Sequence, residues 1–189
     1  HNNLLMAVGT TESSTYFPTR VRWCDINRET YTVDINTWPI SNIYEVYDGG
    51  PKIIGAVDNW GLALIFKADG LYPGQIVFGP LGHFDFRLAR PKRGFSPISR
   101  DSIVVRPEFV FCAAREGLVA VFNTGTEESP QLDFQIINSD DVKEWLSLNK
   151  GRWQYAQAFV REKDHQVRLL CSSSSNTGGH DFVLVWDWE

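Results

Sequence analysis

The chain closes on FVLVWDWE (residues 182–189), an apolar stretch that runs into a Trp-Asp pair with no polar tail after it. Terminal residues of a free-standing domain are usually polar and loose unless something ties them down. The stretch makes sense beside three others: VRWCDIN (21–27), LALIFKAD (62–69) and LVAVFNTG (118–125). Each is an apolar run that ends on an aromatic or sulfur-bearing residue and then a polar one. The pairs are Cys24-Asp25, Phe66-Lys67, Phe122-Asn123 and Trp186-Asp187, so the steps from 24 to 66, 122 and 186 are 42, 56 and 64 residues. Self-similarity on this scale marks a repeat architecture.

The flanks repeat as well. KIIGAVDNWG (52–61), EFVFCAAREG (108–117) and VRLLCSSSSNTGGHD (167–181) precede the later copies, each an apolar strand followed by a turn, and NLLMAVGTTESSTYFPTR (3–20) precedes the first. ETYTVDI (29–35), GQIVFG (74–79) and QLDFQII (131–137) follow the copies, while ISNIYEVYD (40–48), DSIVVRP (101–107) and WQYAQAFV (153–160) come before the later units. With the strands of a four-stranded blade labelled a to d, the order is b-c-d, a-b-c-d, a-b-c-d, a-b-c. The expected fold class is therefore all-β: a single β-propeller segment over 1–189, of about three and a half blades.

Propellers close with about four to eight blades. The chain, which starts at His1 rather than Met, is therefore expected to be a fragment of a longer propeller, completed by missing blades of its parent or by a second copy. Two insertions interrupt the period. Residues 80–102, rich in Gly and Pro, predict an irregular loop with one extra hairpin. Residues 138–151 start on Ser139-Asp140-Asp141 and space Val142, Trp145, Leu146 and Leu148 helically, predicting a short helix, the only one expected.

Composition narrows the class. Hydrophobic residues at 43% and charged residues at 22% fit a globular chain, and the seven Trp favour strands. A net charge of −5 argues against a nucleic-acid footprint. The basic run RLARPKRG (87–94) has no interleaved aromatic platform and reads as a solvated loop. Cys24, Cys112 and Cys171 cannot all pair, and each lies in an apolar run, so buried thiols in a reducing, intracellular compartment are expected. No basic start leads into a long apolar stretch, and no run of about 18 apolar residues exists to span a bilayer.

Motifs for catalysis are missing: no phosphate loop, G-x-G-x-x-G, H-E-x-x-H, G-x-S-x-G or C-x-x-C. His1, His83, His165 and His180 lie far apart without a partner at zinc spacing. Asp48, Asp58 and Asp69 each stand beside a glycine turn, but one acid per loop makes a hairpin turn and not a calcium site. No cofactor, metal or enzymatic activity is expected. Trp38, Trp60, Trp145 and Trp153 lie in or beside loops. They read as local packing or as a recognition surface, since Trp, Tyr and Arg dominate binding hot spots. Blade geometry puts d-to-a and b-to-c connections on one face, which gathers Trp38, Trp60, Arg115, Glu116, Trp145 and His180 on one rim as the expected partner-binding residues. A protein-interaction scaffold is the leading reading; a carbohydrate-binding propeller, with Trp stacking on sugar rings, is the alternative.

The repeat resembles the WD40-like propellers, in which a VWD-type strand ends the third strand of each blade; Trp186-Asp187 matches that dipeptide fully and the other pairs in part. The order NNLLMAV…FPTRVRWCDINRETYTVDI, IIGAVDNWGLALIF, FVFCAAREGLVAVF and FVLVWDWE is similar to the C-terminal propeller half of plant-type BTB/POZ proteins related to potassium-channel tetramerisation domains. That resemblance implies a propeller presenting a partner beside a BTB domain that engages a cullin. A role as the substrate-presenting part of a ubiquitin-ligase adaptor is implied by the resemblance alone.

Overall fold

Runs apolar at nearly every position, such as LALIF and FVFCAA, form strands with no exposed residue, whereas alternating runs such as FVLVWD bury one face only. That difference organises the chain. The computed structural model describes residues 4–27, 29–30, 32–46, 52–78, 84–126, 129–137 and 148–188. It is an all-β, antiparallel arrangement in two compact units, His1–Arg93 and Gly94–Glu189.

In the first unit β1 (Met6–Glu12) pairs with β2 (Thr15–Trp23). The first repeat copy then breaks at Cys24. The Cys24 amide donates to the Leu5 carbonyl at 3.0 Å, while its Sγ accepts the Leu5 amide at 3.2 Å. Beyond the break, β3 (Asp25–Asn27) and β4 (Thr32–Asp34) make a separate hairpin. ISNIYEVYD, expected to open the second blade, instead supplies β5 (Ile43–Glu45) to the first sheet, against β2. The cause is electrostatic. Half-buried Arg20 reaches Glu45 at 2.5 Å and Glu12 at 3.1 Å, so a carboxylate on the incoming strand satisfies a guanidinium that has left water.

The second sheet follows the expected order. β6 (Ile53–Asn59), β7 (Leu62–Lys67) and β8 (Gly70–Phe78) form a meander. The insertion then lays β9 (Phe84–Leu88) and β10 (Lys92–Arg93) along the far edge of β8. Trp23, Ile65, Tyr72, Ile76 and Phe86 share one buried core with Val21, Cys24 and Val46. Lys67, the polar residue closing the second copy, is fully buried; its Nζ donates to the Val46 carbonyl at 2.5 Å and lies 5.1 Å from the Tyr72 ring.

The second unit holds two sheets. β11 (Val104–Val105), β12 (Phe109–Ala114), β13 (Gly117–Asn123) and β14 (Leu132–Ile136) form a four-stranded meander in the expected a-b-c-d order. β15 (Gln157–Arg161), β16 (Gln166–Cys171) and β17 (Phe182–Asp187) follow as a-b-c. The last copy is tied down by its alternate residues: Phe182, Leu184 and Trp186 pack on the core of Phe109, Phe111, Leu169 and Cys171. Trp186 stacks on Phe111 at 5.7 Å and meets Phe109 edge-on at 5.0 Å. The other face of this sheet is open, with Phe159, Val183 and Val185 exposed at 43%, 49% and 48%. Among the described residues β17 pairs only with β16.

Among the described residues three short 3-10 turns occur: η1 (Arg100–Ser102), η2 (Lys150–Tyr155) and η3 (Glu162–Asp164). Ser99 and Asn149 cap the first two through their side chains, taking the amides of Asp101 and Gly151. The helix predicted over 138–151 lies outside the described residues up to 147.

Candidate interaction surface

The turn between β6 and β7 breaks a local rule. Asn59 faces Leu62, and the two residues between them, Trp60 and Gly61, have φ of +51° and +67°. Two positive φ values in a two-residue loop make a type I′ turn, whose first position favours Asn, Asp or Gly. A bulky residue there is an outlier, and strain of this kind clusters at functional sites. Asn59 Oδ1 accepts the Trp60 amide at 3.1 Å, which holds the turn. Ser13-Ser14 closes β1 and β2 in the same way, with φ of +46° and +67°, but with small polar residues.

Trp38 is different. Its Nε1 donates to the Ile35 carbonyl at 2.8 Å, its ring packs on the first core, and its own carbonyl accepts Arg22 at 2.7 Å. Those contacts hold a partly buried ring in place.

In the second unit, Arg115 and Glu116 form the β12–β13 turn. The Glu116 carboxylate accepts the Ser96 amide at 2.6 Å and its hydroxyl at 3.0 Å, and the Arg115 amide donates to the Ser96 carbonyl at 2.9 Å. The turn is thereby clamped to residues 96–98. His180 is exposed on the 172–181 connection between β16 and β17. η2 is fixed to that connection: the Asn149 amide and Nδ2 donate to the Ser172 and Asn176 carbonyls, both at 2.8 Å, and Arg152 donates to the Thr177 carbonyl at 2.9 Å. The start of β12 and the end of β17 meet through Phe109 and Trp186. Their hairpin connections, Arg115-Glu116 and 172–181, therefore lie at the same opposite end of the two sheets, with η2 beside them.

Sequence reasoning passed over Tyr155, which is 51% exposed and lies under the Arg152 guanidinium at 5.1 Å. The signal was GRWQY (151–155), in which a cation and two aromatics share one short turn. Trp145 lies outside the described residues.

The 172–181 connection is ordered by its own acid. Asp181 accepts the Ser173 amide at 2.7 Å and its hydroxyl at 2.6 Å, and these bonds hold its carboxyl down to about 2. A carboxyl depressed in the folded state contributes stability above its unfolded pKa of about 4 and loses it as pH falls through the folded value. The connection is expected to loosen between about pH 4 and 2. A carboxylate carbon NMR titration of Asp181 checks the value, and Asp181→Asn is expected to remove the acid-dependent change in Ser173 amide exchange.

All three cysteines are buried free thiols. Burial pushes the Cys171 thiol up to about 12 and raises that of Cys112 further. Among the described residues no group of three or more His, Cys, Asp or Glu could hold a metal ion. No described helix is long and apolar enough to cross a membrane. Neither protein-family models nor curated protein sequences match the chain.

Proposed function

We propose that the chain is part of a WD40-like β-propeller acting as a non-catalytic protein-interaction scaffold. The blade reading is supported by consecutive antiparallel meanders of three and four strands in repeating order. The half-covered last sheet then takes further blades of a parent chain or a second copy on Phe159, Val183 and Val185. The observation that carries the binding reading is Trp60, an aromatic residue placed where the backbone favours Asn or Gly. Arg152, Tyr155 and His180 offer recognition chemistry in the second unit.

Trp60→Asn separates recognition from packing. Relief of the turn is expected to raise stability by about 1 kcal/mol, while proteins retained by the wild-type chain are released by the variant. A loss of stability with unchanged retention would assign Trp60 to packing. The sugar-binding alternative is less well supported, because Ser172, Ser173, Asn176 and Asp181 direct their polar groups to the connection's own backbone and hydroxyls. Glycan-array binding abolished by Trp60→Asn would favour it instead. By the sequence resemblance, the scaffold serves as the substrate-presenting part of a ubiquitin-ligase adaptor. Recovery of a cullin with the parent protein, and of a partner with this segment, tests that role.

A further inference from the structure

Four cations, Arg87, Arg90, Lys92 and Arg93, fall within seven residues of a chain whose net charge is −5. The structure turns this run from a loop into a fixed strap. The Ala89 amide donates to the Pro73 carbonyl at 2.8 Å, and Lys92 and Arg93 pair with Leu71 and Gly70 of β8. Gly70 makes that approach possible: at φ +146° it passes so close that a Cβ would lie 2.3 Å from the Lys92 carbonyl oxygen. Pro91 restricts the backbone between the two inner cations. Arg90, Pro91, Lys92 and Arg93 line an open cleft of about 670 Å³.

Most of the charges in this run are available. Among the described residues Arg87, Arg90 and Lys92 make no ion pair; Arg93 sits 3.8 Å from Asp69, whose carboxylate also accepts the Tyr72 hydroxyl at 2.7 Å. Asp69 therefore offsets Arg93, while among the described residues Arg90 and Lys92 bring charge without an ion-pair partner to the cleft. From this geometry we infer that the strap at 89–93 is a docking site for an acidic peptide segment of a protein partner, whose oxyanions come from carboxylates or from a phosphorylated side chain.

Guanidinium groups take both oxyanions with paired hydrogen bonds, and Arg clusters are a recurring means of reading acidic and phosphorylated motifs. The cleft is open along the strap, so an extended segment can lie across it. Among the described residues its lining has no aromatic residue on which a nucleobase could stack. The inference takes from the scaffold reading only that the ligand is a polypeptide.

The test titrates the whole chain with labelled peptides of about seven residues: one rich in Glu, one carrying phosphoserine, and a neutral Gln/Ser counterpart. The anionic peptides are expected to bind and the neutral one not. Affinity should fall as salt rises from about 50 to about 300 mM, as the Debye length shrinks. Arg90→Glu with Lys92→Glu should weaken binding at least about tenfold, equivalent to about 1.4 kcal/mol. Arg100→Glu, on η1 in the other unit, should leave it unchanged. Binding of both anionic peptides identifies carboxylate runs, and binding of the phosphoserine peptide alone identifies a modified side chain; either supports the site.

Failure of both anionic peptides, equal loss in Arg100→Glu, or tighter binding of single-stranded DNA of matched charge overturns it. If the double charge reversal fails to fold, Arg90→Gln with Lys92→Gln must still weaken binding. Trp60→Asn is expected to leave peptide affinity intact, so failure of the cleft and failure of the tryptophan turn read out separately.

Discussion

Gly74→Ala is expected to destabilise the first unit by about 2–3 kcal/mol, a large cost for a single methyl group. Gly74 sits in β8 between Ala63 of β7 and Leu88 of β9. A Cβ there would lie 2.1 Å from Phe86 Cζ, with Cε1 and Cε2 at 2.7 and 3.0 Å. The ring has little room to retreat. Phe86 is 6% exposed and stands against Trp23 at 6.0 Å and Tyr44 at 5.1 Å. The backbone at Gly74 is not in the left-handed region, so the penalty is steric and lies with the ring.

That makes a double-mutant cycle decisive. Phe86→Leu alone opens a cavity, but combined with Gly74→Ala it makes room for the methyl. The two changes should couple by at least about 1 kcal/mol. Urea unfolding followed by Trp fluorescence measures both terms. A Gly74→Ala cost below about 0.5 kcal/mol would mean that β9 does not lie on β8 in this register.

Residue by residue, what could be read in advance follows the length and apolarity of each run. LALIFK, FVFCAA and GLVAVFN are long enough to declare themselves as buried strands, and the b-c and c-d hairpins of the second sheet and of the β11–β14 sheet follow from them. The turns beside Asp58 and Asp69 are hairpin turns, as one acid per turn implied. ISNIYEVYD joins a different sheet from the one its pattern implies because, among its described residues, three form a strand, and Arg20 pairs with Glu45, 25 positions away, across it. Local pattern carries no trace of such a pairing.

The basic run failed differently. RLARPKRG reads as solvated because its charges are visible and its anchors, Gly70 and Pro73 on another strand, are not. Among the proposed contact residues, the Trp in VDNWG could be placed in a turn from sequence, but its positive φ is a property of the folded hairpin. Trp38 shows the converse, since a tryptophan beside a loop has its ring partly buried against the first core and its Nε1 satisfied.

Trp186→Ala is expected to cost about 3–5 kcal/mol in the second unit, and Val185→Thr, one residue away, less than about 0.5 kcal/mol. The contrast follows from strand alternation. Trp186, partly buried, points to the face that meets Phe111 and Phe109, and its loss removes its packing on that core together with two aromatic contacts. Val185 points to the face that Phe159 and Val183 share with solvent. Trp186→Phe retains part of the stack and should fall between the two. Chemical unfolding of each variant supplies the numbers.

A large cost at Val185 would carry its own meaning, because a half-exposed valine can stabilise strongly only if something covers it. In that event the stability of the wild-type chain should rise with protein concentration if the cover is a second copy. The same measurement on Trp186→Ala would then separate the strand's inner packing from its outer contact. An apolar open face beside a strand edge left unpaired among the described residues is a liability that natural sheets cover or charge, and here the face carries two valines and a phenylalanine.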